Sequence, residues 1–491
     1  MMRKLAALMV SLFLIGTQMV RAEGFLGLGK ITTDGSLEVL GNSANNETDF
    51  NGDRPDRRGG TISRVRVGLG LPEITENVSG RIEIVRNSNA GSRVQYGNNQ
   101  PVDMITEQGL WLLQNAYVNV NNFLTMDMFR LGRQYIGEHG DSLFYVGPVN
   151  DDAMTVTAID GLRAEKKYWK LNFDGFTGKF RHNETAPGSA AATEAVNAPG
   201  GGDINISYLT VGADDLFPMI RVPLQLGYYN GKNNGLTATN DNIDLTIMDL
   251  RAGVGLLNNA LNLSAEYAQN GGKDDNGVSG TQKSKFKGNG FFLKGAYAFQ
   301  GPKVGLHLQY ANASGDSQNG TVASRESRDK SFHDLSVLGG PRGDLRFGEI
   351  FGYGDFLANQ PGVSTQLGRG LSVLAWGADW TPSFLNDKTT LSLDNYMFRV
   401  NKVVTDASKG VGAETDLAAL YHFTSAIDAR VGAAFFRPYS GLANNFTAAN
   451  TASKNMVTMY FAKLSIKWGG EKEEAPAPAV KKTAPARKHQ S

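Results

Sequence analysis

The sequence predicts an all-β protein, a transmembrane antiparallel β-barrel of about eighteen strands with short periplasmic turns and long outer loops. Three observations lead to this fold class. Apolar and polar residues alternate with period two along most of the chain, and the connections are alternately short and long. No stretch after the N-terminus approaches the ~20 consecutive apolar residues of a membrane helix. Glycine is also abundant, with 59 in 491 residues, well above the ~7% of average usage.

The clearest hairpin lies in residues 411–442. In its first arm Leu417 alternates with Asp416, and in its second arm Val431 alternates with Arg430, so that one face is apolar and the other is polar or small. Each arm is near the ~10 residues that a tilted strand needs to cross a bilayer. A soluble β-sandwich has the same period, so the repetition of the pattern along the chain decides the fold class.

The alternation recurs in about eighteen segments. An even number of strands returns both chain ends to the same side of the membrane, which fits the short and long connections. The predicted segments are residues 35–41, 61–71, 78–86, 110–123, 124–135, 160–169, 171–180, 203–211, 220–229, 243–256, 261–267, 288–299, 303–312, 371–380 and 389–402, the two arms within 411–442, and 455–468.

The two ends of the chain differ from its centre. Residues 1–22 have a basic start, a short apolar core and a small residue before the expected cleavage after Ala22, as in a secretory signal peptide. Removing its bases Arg3, Lys4 and Arg21 changes the formal charge from +1 to −2, and this near-neutral balance argues against a nucleic-acid partner. The barrel is expected to occupy residues 23–469.

The C-terminal residues 470–491 are rich in Pro, Ala and Lys, a composition that cannot build a core. We interpret them as a disordered periplasmic tail. The tail is either a spacer or a basic tether to anionic peptidoglycan.

The sequence offers little for catalysis or cofactor binding. Cysteine is absent, which excludes disulfides and thiolate metal sites, and the six histidines show no metal-ligand spacing. The run Gly140-Asp141-Ser142-Leu143 has the form of an esterase nucleophile block, but no Asp-x-x-His follows it and it lies in an expected outer loop. We therefore predict no catalytic residue, no metal and no cofactor, and keep an outer-membrane hydrolase as an alternative.

Charged residues lie on the polar faces of the predicted strands. In a closed barrel these residues line a water-filled lumen, because the outer face must be apolar. Eleven bases stand against seven acids, and rings of Arg and Lys favour anions. The predicted anion path comprises Arg64, Arg66, Arg81, Arg163, Lys167, Arg221, Arg251, Lys294, Arg430 and Lys463, with Lys467 as the eleventh base. The acids are Glu38, Glu83, Glu165, Asp174, Glu266, Glu414 and Asp416.

The insertion at residues 317–370 is the second candidate for function. A segment of roughly fifty residues without strand pattern is uncommon in a compact fold and is usually functional or disordered. Its aromatic residues and arginines favour packing, either inside the lumen as a constriction or over the outer mouth as a lid. The predicted constriction residues are Arg342, Arg346, Phe347, Phe351, Tyr353 and Asp355.

Several short runs resemble one known family. The runs at 129–134, 159–163 and 347–355, and the ending from Glu414 to Phe436, are similar to those of alginate-export-type outer-membrane porins. The resemblance extends over residues 110–468. It implies an eighteen-stranded barrel that passes anionic polysaccharide through a pore lined by Arg and Lys.

The expected protein is a passive channel in the outer membrane of a Gram-negative bacterium. Its expected partners are membrane lipid and small anionic or sugar solutes. Polysaccharide export, a general diffusion porin, the hydrolase and an envelope-anchoring barrel remain as alternatives.

Overall fold

A computed structural model describes most of the central chain. The described residues are 31–45, 58–90, 111–149, 154, 156–181, 203–213, 223–234, 243–274, 284–299, 301–316, 328–338, 343–350, 370–403, 408–442 and 455–469. The predicted signal peptide and C-terminal tail lie outside them, so both remain predictions.

Twenty strands occur within the described residues. They are β1 (Thr32–Asn45), β2 (Arg58–Thr75), β3 (Val78–Ala90), β4 (Leu112–Phe123), β5 (Met126–Gln134), β6 (Ile159–Tyr168), β7 (Leu171–Arg181), β8 (Asp203–Ala213), β9 (Leu224–Asn234), β10 (Ile243–Leu256), β11 (Leu261–Asp274), β12 (Ser284–Phe286), β13 (Asn289–Ala298), β14 (Val304–Ala313), β15 (Arg328–Asp329), β16 (Leu371–Trp380), β17 (Thr389–Val400), β18 (Gly410–Thr424), β19 (Ile427–Pro438) and β20 (Val457–Gly469). Two short 3-10 helices accompany them, η1 (Leu335–Leu338) and η2 (Ser383–Leu385).

Eighteen of these strands form a closed antiparallel barrel. Each wall strand pairs with its neighbour in sequence, and β20 pairs with β1 from Asp34↔Gly469 to Asn45↔Thr458. The short strands β12 and β15 lie outside the wall, because β11 pairs directly with β13 and β14 pairs directly with β16. Closure removes the free sheet edge that a bilayer cannot solvate. The predicted fold class and strand number are therefore confirmed.

Alternation along the strands separates an apolar outer wall from the lumen. On β20, Tyr460 is 59% exposed on the outside, whereas its neighbour in sequence, Phe461, is buried inside and Lys463 bonds Glu38 across the lumen face of β1. The last strand therefore turns Tyr460 toward lipid and Phe461 and Lys463 toward the lumen. On β10 the lumen face is itself apolar, with Leu245 and Ile247 fully buried, because loops pack against it from within.

The two ends of the barrel differ. At one end the strands are joined by tight turns that use left-handed residues, among them Asn77 (φ 74°), Asn122 (φ 54°) and Trp169 (φ 55°). Exposed aromatic side chains such as Phe123 and Phe423 surround this end, as in the girdle at the periplasmic interface of outer-membrane barrels. The other end carries the long connections. Within the described residues, no helix is long and apolar enough to cross a membrane.

The predicted boundaries of β9 and β11 are the least accurate. The segment 220–229 was predicted where β9 runs from Leu224 to Asn234, and 261–267 was predicted where β11 runs from Leu261 to Asp274. The first strand is longer than the predicted 35–41 and includes Asp34.

Candidate functional site in the barrel lumen

Part of the connection between β5 and β6 folds into the barrel. Leu143, Phe144 and Val146 are at most 3% exposed. The ring of Phe144 lies 5.7 Å from that of Tyr208 on β8 and 6.1 Å from that of Tyr229 on β9. The connection leaves the long-loop end of the barrel, as expected of an outer loop, but these side chains turn inward, because the apolar lumen face of β8–β10 offers them a dry surface to pack against.

Part of the insertion between β14 and β16 also lies inside. Leu335 and Leu338 on η1 are fully buried, and the side-chain amide of Asn233 donates to the carbonyl of Leu338 across 3.0 Å. Phe347 and Ile350 are buried as well. These residues therefore pack inside the barrel, and their role as a constriction remains a prediction. Of the predicted constriction set, Phe347 and Arg346 are described, and Arg342, Phe351, Tyr353 and Asp355 lie outside the described residues.

The two inner loops bind each other. The backbone N–H of Asp344 donates to the carbonyl of Asp141 across 2.6 Å. The Asp344 carboxylate lies 2.9 Å from Nδ1 of His139, and Nε2 of the same histidine lies 3.1 Å from the hydroxyl of Tyr145. These contacts join the loops into a single unit, which we call the loop bridge (the described parts of 136–149 and 343–350).

Side chains of the barrel wall hold the loop bridge at both sides. On β2, Arg64 donates to the carbonyl of Val149 across 2.7 Å. On β10, Arg251 donates to the carboxylate of Asp141 across 2.6 Å. These strands are eight positions apart in the eighteen-stranded ring, so they stand on nearly opposite walls. The first loop therefore crosses the lumen.

A pair of carboxylates on β18 holds the second loop. Glu414 accepts the backbone N–H groups of Glu349 and Ile350, each across 2.7 Å, and Asp416 accepts the N–H of Glu349 across 3.1 Å. Arg430 on β19 then donates to the Glu349 carboxylate across 2.7 Å. Gly348 between them has φ +85°, and a Cβ there would lie 2.6 Å from the Glu414 carboxyl group. This close approach requires glycine.

Seven of the predicted path residues have carboxylate partners. On β2 and β3, Arg66 and Arg81 share Glu83, and Arg81 also binds Asp34 across 2.6 Å. The other five bases are paired as follows. Arg64 and Lys463 both bind Glu38, and Arg163 binds Asp174 and Glu165. Arg251 binds Asp141, Asp249 and Glu266, and Arg430 binds Glu349. Arg64 is 2% exposed and serves the wall and the loop bridge rather than the open lumen.

The other path residues are more accessible. Lys167 on β6, Lys294 on β13 and Lys467 on β20 are exposed on the lumen face, and among the described residues none of the three has an ion pair. Lys294 lines a cavity of about 220 Å³ beside Arg251, Glu266 and Phe347. Arg221 lies outside the described residues.

Sequence reasoning missed several lumen residues. On the strands these are Asp34, Arg130, Asp249, His307, Asp379 and Asp394; in the loops they are Asp141, Ser142, Asp344 and Glu349. Strict alternation would have found the first group, since each stands on the polar face of a strand. Nothing in the sequence identified the second group, because their positions depend on contacts with distant strands.

Charge is segregated around the lumen. The lumen faces of β2–β6 are predominantly basic: six bases stand against the two acids Glu83 and Glu165. The bases are Arg64, Arg66, Arg81, Arg130, Arg163 and Lys167. The lumen faces of β16–β18 carry Asp379, Asp394, Glu414 and Asp416, with His307 of β14 bonded to Asp394 across 2.5 Å. The lumen also contains carboxylates that the sequence analysis did not count, and these offset the basic excess. The main electrostatic feature of the lumen is therefore the separation of positive from negative side chains.

The esterase-like run has no catalytic geometry. The hydroxyl of Ser142 donates to the carboxylate of Glu266, whereas the nearest histidine in sequence, His139, is engaged by Asp344 and Tyr145. A nucleophilic serine needs a base, usually histidine, within hydrogen-bond reach. Among the described residues, no group of three His, Asp or Glu could hold a metal ion.

A closed eighteen-stranded barrel with an apolar outer wall, a charged lumen and infolded loops is the architecture of outer-membrane barrels of the porin type.

Solved structures share this fold. OccK8 (OprE) from Pseudomonas aeruginosa matches with a TM-score of 0.54 at 10% identity, over 90% of this chain and 98% of that chain. OccAB2 from Acinetobacter baumannii matches with a TM-score of 0.55 at 10% identity, over 90% of this chain and 98% of that chain. The outer membrane protein opdK from Pseudomonas aeruginosa matches with a TM-score of 0.54 at 10% identity, over 90% of this chain and 99% of that chain.

At 10% sequence identity, these matches show that the fold is shared. No family model matches the chain, and no curated protein matches it. The resemblance to alginate-export porins is thus supported at the level of an eighteen-stranded outer-membrane porin, and its polysaccharide cargo remains a prediction.

Proposed function

We propose that the protein is a passive channel for small anionic or polyhydroxylated solutes. The observation that carries this proposal is the segregation of lumen charge: arginines line β2–β6, and carboxylates line β16–β18. A solute that carries both a carboxylate and hydroxyl groups can use both walls. Its acid group binds the guanidinium side, and its hydroxyls donate to the carboxylate side.

The accessibility of the charges supports a preference for anions. Several lumen carboxylates are buried: Glu83 is 1% exposed and Asp416 is 4% exposed. Lys167, Lys294 and Lys467 are exposed, whereas the most exposed acids are Asp379 at 49% and Glu165 at 39%. Among the most exposed lumen groups, bases therefore outnumber acids.

The paired arginines also remain available for binding. Arg66, Arg81 and Arg163 are 27%, 23% and 21% exposed. A guanidinium has five N–H donors in a planar fork, and a carboxylate partner uses only part of them. The free donors can form charge-assisted bonds with a solute carboxylate or phosphate.

The loop bridge favours small solutes over a polymer. It contacts β2 on one side and β10 and β18 on others, so a passing molecule has to travel beside it. Passive polysaccharide export is the finer alternative implied by the sequence resemblance, and it would require the bridge to move aside.

Solute flux into proteoliposomes tests the proposal. Wild-type protein should admit glucuronate and sorbitol far faster than a linear hexamer of uronate. Lys294→Gln should slow glucuronate more than sorbitol, because it removes an exposed lumen charge. Lys303→Gln is the matched control, since Lys303 stands at a short turn beside Asp387 and is 52% exposed. Equal flux of hexamer and monomer would instead support polymer export, and equal slowing of both small solutes would remove the anion claim.

A further inference from the structure

Two arginines lie on the outside of the barrel at the long-loop end, and two exposed lysines lie next to the ends of β17 and β18. Arg399 on β17 follows the buried Phe398, and Arg437 on β19 follows the buried Phe436. Successive side chains on a strand point to opposite faces, so both arginines face away from the lumen. Arg399 pairs in register with Gly410 at the start of β18, next to Lys409. Lys402 is exposed just beyond β17.

The four bases of this cluster (Arg399, Lys402, Lys409 and Arg437) are not neutralised within the described structure. All four are exposed, and among the described residues none has an ion pair. Adjacent strands are ~4.8 Å apart, so Arg399 on β17 and Arg437 on β19 stand about two strand spacings apart on the outer face, one on each side of β18. Holding like charges together in this way costs free energy unless an anion is bound.

The backbone beneath the cluster is well fixed. The N–H of Val400 donates to the carbonyl of Lys409 across 3.0 Å, and the N–H of Tyr439 donates to the carbonyl of Val411 across 2.7 Å. A cavity of about 420 Å³ opens here, lined by Ser408, Gly410, Arg437, Pro438, Tyr439 and Ser440. Hydroxyl groups beside guanidinium groups suit a phosphate, which offers several strong acceptor oxygens.

The cluster stands directly above lipid-facing wall. In the register of the sheet, Arg437 on β19 is opposite Ala413 on β18, and Ala413 is opposite Met397 on β17. The Met397 side chain is 39% exposed on the outside of the barrel. About ten residues separate Arg437 from the short turn, which for a tilted strand is close to the ~25 Å height of the apolar band. The bases therefore lie at the level of lipid headgroups, with hydrocarbon below them.

The opposite side of the barrel provides a contrast. There an outward row crosses β5 to β10 in register, but acids alternate with the bases. Arg133 pairs with Asp160 across 3.3 Å, and Lys232 pairs with Asp244 across 3.4 Å. That row neutralises much of its own charge, whereas the cluster on β17–β19 does not.

We propose that this cluster is a docking surface for the phosphate-bearing headgroup of an anionic lipid in the outer leaflet. The bases and the Ser408 and Ser440 hydroxyls bind the phosphate, and the acyl chains lie against the apolar wall around Met397. A soluble anion would bind only the bases and hydroxyl groups and would make no contact with the apolar wall.

Native mass spectrometry of the purified full-length protein in neutral detergent tests the proposal, with dipalmitoyl phosphatidic acid as the probe and phosphatidylcholine as the neutral lipid. Wild-type protein should retain phosphatidic acid preferentially. The double variant Arg399→Gln/Arg437→Gln should bind it roughly 10- to 30-fold more weakly, because each base near an anionic lipid surface contributes to attraction. Arg133→Gln, which changes an outward base that Asp160 already pairs, should bind it as the wild type does.

Retention of phosphatidic acid by the double variant at the wild-type level would overturn the proposal. A salt titration of the wild type tests it without a variant: retention should fall as NaCl increases, and salt-independent retention would also overturn it. Inorganic phosphate at the same concentration as the lipid should fail to displace it. Full displacement would identify a site for free anions instead.

Discussion

Arg251 on β10 and Asp141 in the loop after β5 are joined by a 2.6 Å hydrogen bond between residues 110 positions apart in sequence. The same arginine contacts Asp249 on its own strand across 2.8 Å. This pair fixes one end of the loop bridge to the wall, while Arg64 fixes the other end on β2. The width of the lumen therefore depends on a few charged contacts.

Asp141→Asn should loosen this end of the bridge. The loss of a charge-assisted bond to a partly buried arginine costs about 1.5–3 kcal/mol locally, and the barrel itself should keep its thermal stability. Single-channel recordings should show more frequent fluctuations between conductance levels. Asp387→Asn, at a short turn outside the lumen, is the control and should leave the recordings unchanged. Identical traces for the wild type and Asp141→Asn would show that the bridge does not depend on this bond.

Gly348→Ala should detach the second loop from β18. Its φ of +85° is unfavourable for alanine, and the new Cβ would lie 2.6 Å from the Glu414 carboxyl group. Gly140→Ala is a matched control, because Gly140 has φ +87° with nothing within 4 Å of a Cβ. Limited proteolysis of intact protein in micelles should cut the Gly348 variant faster within the insertion. Equal cleavage of the two variants would mean that backbone strain alone explains the effect.

Leu464→Arg and Ser465→Arg test the register of the closing strand. Leu464 is opposite Val39 on the lipid-facing side, so an arginine there near mid-membrane should cost about 2–4 kcal/mol of folding free energy. Ser465 is between Glu38 and Asp428 on the lumen side, so arginine should be tolerated there. Equilibrium unfolding in urea with lipid vesicles measures both. Equal destabilisation would contradict the alternation of β20.

The wall of the barrel could be predicted from sequence, because each strand carries its own local alternation. Lys463 is an example: its neighbours alone place it on the lumen side, where it binds Glu38. The loop bridge could not be predicted. Asp141 and Glu349 lie in segments without a regular alternation of apolar and polar residues. Their positions depend on contacts with Arg251 and Glu414, which are distant in sequence. The charge balance was misjudged for the same reason, since loop carboxylates enter the lumen only after the loops fold inward.

Deletion of residues 470–491 should leave folding and conductance unchanged, because a Pro/Ala/Lys segment contributes no core. The basic distal half of this tail includes Lys481, Lys482 and Arg487, and we expect it to bind anionic cell wall. Co-sedimentation with purified peptidoglycan should be stronger for the full chain than for the truncated one. Equal sedimentation would leave the tail as a spacer.

The ion selectivity of the open channel tests the central claim most directly. Reversal potentials in a planar bilayer under a KCl gradient should show a mild preference for chloride, which weakens as ionic strength rises and the charges are screened over ~10 Å or less. Lys167→Gln/Lys294→Gln should reduce this preference, since both side chains are exposed on the lumen face. A wild-type channel that prefers potassium would contradict the basic path and the anionic cargo together.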